Sequence, residues 1–449
     1  GDLVYQYTPG EPLLIINSAK VADDLLEKRG AIYSSRPMRT MIAKMGWEWS
    51  FAAMKYGSDW RKHRALFQKY FHSRAAPRYE PIQIMEAHTL LRNLSHNPNN
   101  FEHYLQRSAS ALAMKISYGH DITEEDDLYV SLAKKGMSSL IKVGVHGTYL
   151  VDYLPFLRHI PSWFPGAGFK RQAYEWRADL KAMREQPFEM VKRRMETGTA
   201  IPCVTTLELE KSPVKEIDVS MIQCIAAIFY AAGADTMAAG VLSFFLAMMT
   251  HPDIQRKAQA EIDAVIGTDR LPTFKDRSNL PFVSCLLWEC LRWSPIAPMA
   301  VPHAPIQDDV YEGYWIPKGT TILPNVWGML HDEEKYPDAF KFMPERFADP
   351  QKNAKSRINE PPHIAFGFGR RVCPGRWVAL DHLWITMASI LAVFTIAKPK
   401  DPEGNIVEQD IDVTIGSVSR PKPFKCSLVP RSEAARALIR QTEEQQSFN

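Results

Sequence analysis

Cys373 lies in FGFGRRVCPGRWVAL, residues 366–380, between glycines and arginines and just ahead of an apolar stretch of helical character. Backbone N–H groups at the start of a helix attract negative charge. A thiol placed there is expected to have a lowered pKa and to act as the thiolate. Gly369 and Gly375 are expected to let backbone approach the sulfur closely. Arg371, two residues before it, can reach another anion. Such a thiolate is either a nucleophile or a metal ligand. A nucleophile wants a nearby base, and no local Cys–His pairing stands out. A single axial thiolate is enough for heme iron.

The second feature is Asp235, the only charge in CIAAIFYAAGADTMAAGVLSFFLAMM, residues 224–249. An uncompensated carboxylate in such a run costs roughly several kcal/mol. The run is long enough to cross a membrane, but its flanks, KEIDVS and HPDIQRK, and the rest of the chain are those of a soluble protein. A helix apolar on every side can equally be the central buried helix of a large domain, and that is the reading adopted.

These residues need elements to hold them. The chain has 449 residues, 45% hydrophobic and 11% aromatic, ample for a large core. Its net charge of +3 is small, and no long basic run with interleaved aromatics occurs, so a nucleic-acid binder is not expected. Cys203, Cys224, Cys285, Cys290 and Cys426 form no CxxC pair, which removes a zinc ribbon. They read as small buried residues in reducing surroundings. Residues 1–30 read as two strands and a short helix closed by Gly30. Residues 31–57 read as a loop rich in Met and Trp. SDWRKHRALFQKYF, residues 58–71, has helical period, with Ser58 or Asp59 as N-cap, and helices continue to about residue 145. YLVDYLPFLRHIPSWFPGAGF breaks that pattern with exposed apolar character. GTAIPCVTTLELEKSP reads as a surface turn. Helices are expected from Pro252 to Gly267 and over about 280–293, followed by a proline-rich, strand-like stretch.

The segment 366–375 resembles the heme-binding signature of the cytochromes P450, FxxGxRxCxG, with Phe366, Gly369, Arg371, Cys373 and Gly375 at every fixed position. Further matches run in family order along nearly the whole chain. ECLR puts Glu289 and Arg292 three apart on one helix face, and PERF supplies Arg346. The resemblance implies that these three form a buried charge network beneath the heme. WRKHR supplies Trp60 and Arg64, and VPHAP supplies His303. All three are implied donors to the heme propionates. The heme cradle so implied comprises Cys373 on the iron, with Trp60, Arg64, His303, Arg371, Phe366, Gly367, Gly375 and Ala232. AAGADTM resembles the (A/G)Gx(D/E)T(T/S) motif of the family's long central helix. Ala232 and Thr236 are four apart and face the same side. The Thr236 hydroxyl can bond back to the carbonyl of residue 232. The resemblance makes Asp235 and Thr236 a relay delivering the two protons that O–O cleavage requires. Met237 departs from the pattern, since Thr or Ser is usual there.

The fold implied is mainly α with a minor β-sheet region, a triangular helical prism around a buried heme b (iron protoporphyrin IX). Residues 1–449 would be one catalytic domain, lacking an N-terminal membrane anchor and the first part of the domain. The activity implied is that of a monooxygenase inserting one atom of dioxygen into a lipophilic molecule, aromatic or terpenoid. The pocket is expected from the loop 37–57, segments near 135–150, the central helix, residues 297–302 and the turn 415–419. Candidate liners are Met41, Trp47, Phe51, Phe229, Ala232, Met237, Met299, Val301 and Val418. Electrons are expected from NADPH–cytochrome P450 reductase, with cytochrome b5 as a second donor. Arg61, Lys62, Arg370 and Arg376 are the candidate docking face. The resemblance is closest to microsomal enzymes of fungal character. A monomer on the cytosolic face of the endoplasmic reticulum membrane is expected, with Trp163–Phe169 touching the bilayer surface. Two alternatives stay open: a non-catalytic heme sensor, which needs no proton relay, and a heme-thiolate isomerase working without a reductase.

Overall fold

The computed structural model describes residues 1–8, 11–123, 126–144, 148–211, 216–348, 361–414 and 416–447. The fold is mainly helical, with small sheets. Its longer helices are α1 (Ser58–Phe71), α2 (Glu80–His96), α3 (Phe101–Tyr118), α4 (Leu128–Gly144), α5 (Gly168–Glu196), α6 (Glu216–Thr250), α7 (Pro252–Ile266), α8 (Pro281–Trp293), α9 (Arg376–Val393) and α10 (Glu433–Ser447). The strands are β1 (Leu3–Thr8), β2 (Glu11–Ile16), β3 (Asp309–Tyr311), β4 (Tyr314–Ile316), β5 (Thr321–Pro324), β6 (Phe394–Ala397) and β7 (Ser427–Pro430). β2 pairs antiparallel with β1 and parallel with β5, so the chain start is stitched to residues three hundred positions away. β3–β4 and β6–β7 are antiparallel pairs.

Two helices, α6 and α9, dominate the interior, and the greater part of each is apolar around its circumference. By length and composition each could cross a membrane, but the apolar window is 78% buried in α6 and 72% buried in α9. They are core helices, because tertiary contacts cover most of the apolar surface that lipid would otherwise cover. A Cβ added at Gly240 of α6 would stand 2.8 Å from Leu383 Cδ2 of α9, so this glycine sets how closely the two helices approach. On the other flank Phe71 of α1 stacks on Phe229 of α6 with ring centroids 4.2 Å apart. The central helix is thus held between α1 and α9, which carry Trp60 and Arg64 and follow Cys373, respectively.

Three local expectations differ from the structure. Gly30 begins a short helix, Gly30–Tyr33, with Gly30 and Tyr33 buried, rather than closing one. The stretch before it widens into π-helix over Asp23–Lys28. The supposed surface turn contains a helix, Val204–Leu209, with Val204, Thr205 and Thr206 buried. Its start is fixed by a reciprocal cap between Cys203 and Thr206, and cysteine is a weak sequence signal for an N-cap. The Met- and Trp-rich loop holds a helix, Thr40–Met45, and a single 3₁₀ turn, Trp47–Trp49. The connection before α5 is exposed as expected, with Phe156 64% and Trp163 77% accessible.

Candidate active site

Cys373 sits in a cradle made by the loop before α9. Its N–H donates to Phe366 O at 2.8 Å, closing a turn in which Gly367 and Gly369 take positive φ of 82° and 54°. The N–H groups of Gly375 and Arg376 point at the sulfur and favour the thiolate, as do the charges of Arg64 and Arg376. Burial outweighs them and pushes the Cys373 thiol up. The lowered pKa expected from the helix start alone is therefore overturned: taking the sulfur out of water costs more than the N–H groups return. A bound metal ion deprotonates a coordinating thiol outright. The glycines also differ from expectation. A Cβ at Gly369 would run into the Leu26 carbonyl oxygen of the π-helical turn, so Gly369 makes room for another segment and not for the sulfur. Gly375 has no positive φ, and a Cβ there would lie 3.9 Å from Phe229 Cε2.

Between this cradle and α6 lies a cavity of about 310 Å3. Cys373, Pro374 and Gly375 bound one side. Ala232, Gly233, Thr236 and Met237 of α6 bound another. Thr236 Oγ1 donates to Ala232 O at 2.8 Å and reaches Gly233 O at 3.4 Å. Ala232 is exposed only because the cavity opens onto it. Phe51, Phe67, Ile228, Phe229, Leu291 and Ile296 make most of the remaining wall apolar.

Arg36, Arg64 and Arg371 line the same cavity, and all three are buried. Arg371 donates to the carbonyls of Ser34, Phe51 and Met54 at 2.6, 3.1 and 2.6 Å and lies 4.4 Å from the Trp60 ring centroid. Arg36 donates to the carbonyls of Ala52, Val301 and Pro302 at 3.1, 2.7 and 2.7 Å. Arg64 has no hydrogen-bond partner among the described residues. Among the described residues no carboxylate pairs with any of the three. Burial pushes Arg64 down to about 10, and burial together with Arg64 pushes Arg371 down to about 9. His303 Nδ1 lies 2.9 Å from Tyr33 O, so that nitrogen carries the hydrogen. Burial and the neighbouring arginines hold His303 well below the usual imidazole range. Buried cations without anions are costly. A flat, largely apolar group bearing two carboxylates and an open metal position would satisfy the arginines, the apolar walls and Cys373 together. Among the described residues no three His, Cys, Asp or Glu side chains gather to hold a metal ion, which leaves a single-thiolate site as the one on view.

Behind the cradle, Glu289 and Arg292 are fully buried. Arg292 Nε and Nη2 donate to Glu289 Oε2 and Oε1, each at 2.7 Å, and Arg346 Nε reaches Oε1 at 3.2 Å. Arg292 Nη1 also donates to Leu330 O and Ala339 O at 2.9 and 2.8 Å. Both guanidinium groups thus share the one carboxylate and donate their remaining N–H groups to main-chain carbonyls, which ties the residues from 330 to 346 to α8.

The family profile named Cytochrome P450 matches residues 1–428. The chain belongs to the cytochrome P450 family. This P450 is 43% identical over 442 residues to cytochrome P450 monooxygenase 208 of Postia placenta, covering 98% of this chain and 85% of that protein. It is 40% identical over 434 residues to cytochrome P450 monooxygenase claR of Ampulloclitocybe clavipes, covering 96% and 80%. It is 38% identical over 453 residues to cytochrome P450 monooxygenase COX2 of Coprinopsis cinerea, covering 99% and 85%. The family implies a heme-thiolate cofactor, a redox partner and a small-molecule substrate.

Of the pocket candidates, Phe51, Phe229, Ala232, Met237 and Val301 line the cavity of this P450, and Met41, Trp47, Met299 and Val418 do not. Trp47 is buried in the core against Trp49, and Met41 is buried with its N–H on Asp152. Ala297 and Ala300 line the cavity, while Met299, between them in the same turn, does not. The turn carrying Val418 acts from behind, with Ser419 N–H donating to Ile296 O at 2.8 Å. Ile415 of that turn, and 145–147 of the segment near 135–150, lie outside the described residues. Asp235 and Thr236 are not brought together: successive residues on a helix point in different directions, and Asp235 accepts from Gln106 of α3 at 2.9 Å, away from the cavity. Sequence reasoning missed Arg36. Its partners are main-chain carbonyls distant in sequence, and no local pattern could have found it.

Proposed function

We propose that this P450 inserts one oxygen atom from dioxygen into a lipophilic, aromatic or terpenoid molecule, with NADPH electrons passed by a flavoprotein reductase. The observation that carries the reading is the largely apolar cavity bounded by the Cys373 cradle and by the Thr236 notch of α6. Cys373 would hold heme iron. Arg36, Arg64, Arg371, Trp60 and His303 would hold the propionates, offsetting the uncompensated cations. Bound heme supplies oxygen activation. The chain's own part is to exclude water with Phe51, Phe67 and Phe229, to seat the substrate against Met237 and Val301, and to offer the Thr236 hydroxyl as a proton-passing group. A ligand sensor needs no such hydroxyl.

Thr236→Ala is expected to lower product per NADPH several-fold and to raise peroxide release by a similar factor, with heme content unchanged. Unaltered coupling would remove Thr236 from the proton path. NADPH oxidation with purified reductase separates this reading from the sensor and the isomerase, neither of which consumes NADPH.

For reductase docking, Arg61 and Lys62 are exposed on α1. Arg376 is half-buried and donates to Cys373 O at 3.2 Å, so it serves the cradle first. Arg370 lies on Tyr56. Reversing Arg61 and Lys62 to Glu should slow the first reduction several-fold at low salt and less at high salt. Equal rates at low salt would exclude this face. The exposed Phe156, Trp163 and Phe164, with Arg158 and Arg171 nearby in sequence, support attachment to a membrane surface, in keeping with the endoplasmic reticulum. We read the chain as one catalytic domain acting as a monomer.

A further inference from the structure

Asp235 faces a second, separate recess on the far side of α6. The recess is lined by Gln106 and Ser110 of α3, Val130, Ala133, Lys134 and Met137 of α4, and Tyr230, Ala231, Ala234 and Asp235 of α6. Its volume of about 10 Å3 leaves room for about one water molecule. Gln106 Nε2 donates to Asp235 Oδ1 at 2.9 Å. We propose that Gln106 is a positioning residue that holds the Asp235 carboxyl in this recess through an uncharged amide, so that Asp235 takes up a solvent proton there before its side chain turns from the recess toward Thr236. The inference rests on the monooxygenase reading and adds to it the residue that holds the acid in place without pairing it to a full charge; burial is what keeps the acid protonatable.

The choice of amide is the physical point. An Arg or Lys at position 106 would form an ion pair and keep the carboxylate ionised. An amide satisfies one oxygen while leaving the proton free to come and go. The other groups facing the carboxyl are few. Lys134 of α4 and Arg420, in the segment after the 416–419 turn, are exposed and favour ionisation from a distance; Tyr230, on α6 itself, donates to Tyr129 O at 2.9 Å and is already engaged. Burial is the largest influence on Asp235 and raises its pKa, against the smaller lowering by Gln106, Arg420 and Lys134. The exposed Lys134 at the recess places bulk water within one side chain of the acid.

The test uses holoenzyme carrying Gln106→Lys or Gln106→Leu. An infrared titration follows the Asp235 carboxyl band, assigned by its loss in Asp235→Asn. Gln106→Lys should move the midpoint down by about one pH unit, roughly a tenfold loss of protonated carboxyl at pH 7. Gln106→Leu should move it up. NADPH oxidation by the reductase-coupled Lys variant should fall several-fold at pH 7 and recover on acidification, with heme content and first-electron reduction unchanged. A merely structural role for Gln106 would shift heme content in both variants and leave the two midpoints together. Midpoints equal to wild type in both variants would overturn the proposal. The thiolate band of the ferrous carbonyl adduct, recorded on the same samples, reports separately on the monooxygenase reading.

Discussion

Glu289→Ala is expected to yield no folded, heme-loaded protein at ordinary growth temperature. Glu289 accepts from both Arg292 and Arg346, and its Oε1 also takes the Met343 N–H at 2.8 Å. The carboxylate and its main partner lie where water does not reach; Glu289 and Arg292 are each 0% exposed, and only Arg346 sits toward the rim. Removing the acid leaves the Arg292 charge without an anion in low dielectric, which costs about 3–5 kcal/mol. Whole domains are stable by only roughly 5–15 kcal/mol. The same change also frees the main chain at Met343, in the segment tied to α8. Soluble yield and heme-to-protein absorbance ratio measure the outcome. Glu289→Gln keeps the shape and half the acceptors, and should be milder yet still show depleted heme. Native yield and heme content in the alanine variant would mean that the network contributes little to the fold.

Gly369→Ala is the second large effect, and it has an internal control two residues away. Both Gly367 and Gly369 have positive φ, so alanine costs about 1–2 kcal/mol at either for conformation alone. At Gly367 an added Cβ meets nothing within 4 Å. At Gly369 it meets the Leu26 carbonyl, which belongs to backbone and cannot rotate aside. Overpacking adds typically about 1–3 kcal/mol more, and the loop that must yield is the one carrying Cys373. Gly369→Ala should therefore lose most of its heme, while Gly367→Ala retains it with a modestly lower unfolding temperature. Heme content and thermal unfolding of the two variants side by side decide it. Equal behaviour would show that conformation alone, and not the Leu26 contact, governs the cradle.

What sequence reasoning could reach followed from how local each constraint is. The Cys373 loop, the Glu289–Arg292 spacing and the apolar central helix are short-range patterns, and each recurs in the structure as an observed contact or burial. The pocket was only half legible. Methionine and tryptophan in a loop are compatible with lining a cavity or filling a core, and Met41 and Trp47 do the second. Arg36 was hidden because carbonyls hundreds of positions away define its place. The thiol pKa was misjudged because helix-terminal N–H groups are visible in a sequence and desolvation is not. Likewise Asp235 and Thr236 are adjacent in the chain, yet helix geometry sends one to the recess beside Gln106 and the other to the cavity.

The most direct test of the heme-thiolate assignment is the absorption spectrum of the dithionite-reduced, carbon monoxide-treated protein, recorded for the wild type and for Cys373→His. The wild type should show the red-shifted Soret band of thiolate-ligated heme, and the histidine variant should lose it while still binding heme. A red-shifted band that persists in Cys373→His, or its absence from folded wild-type protein loaded with heme, would contradict Cys373 as the ligand.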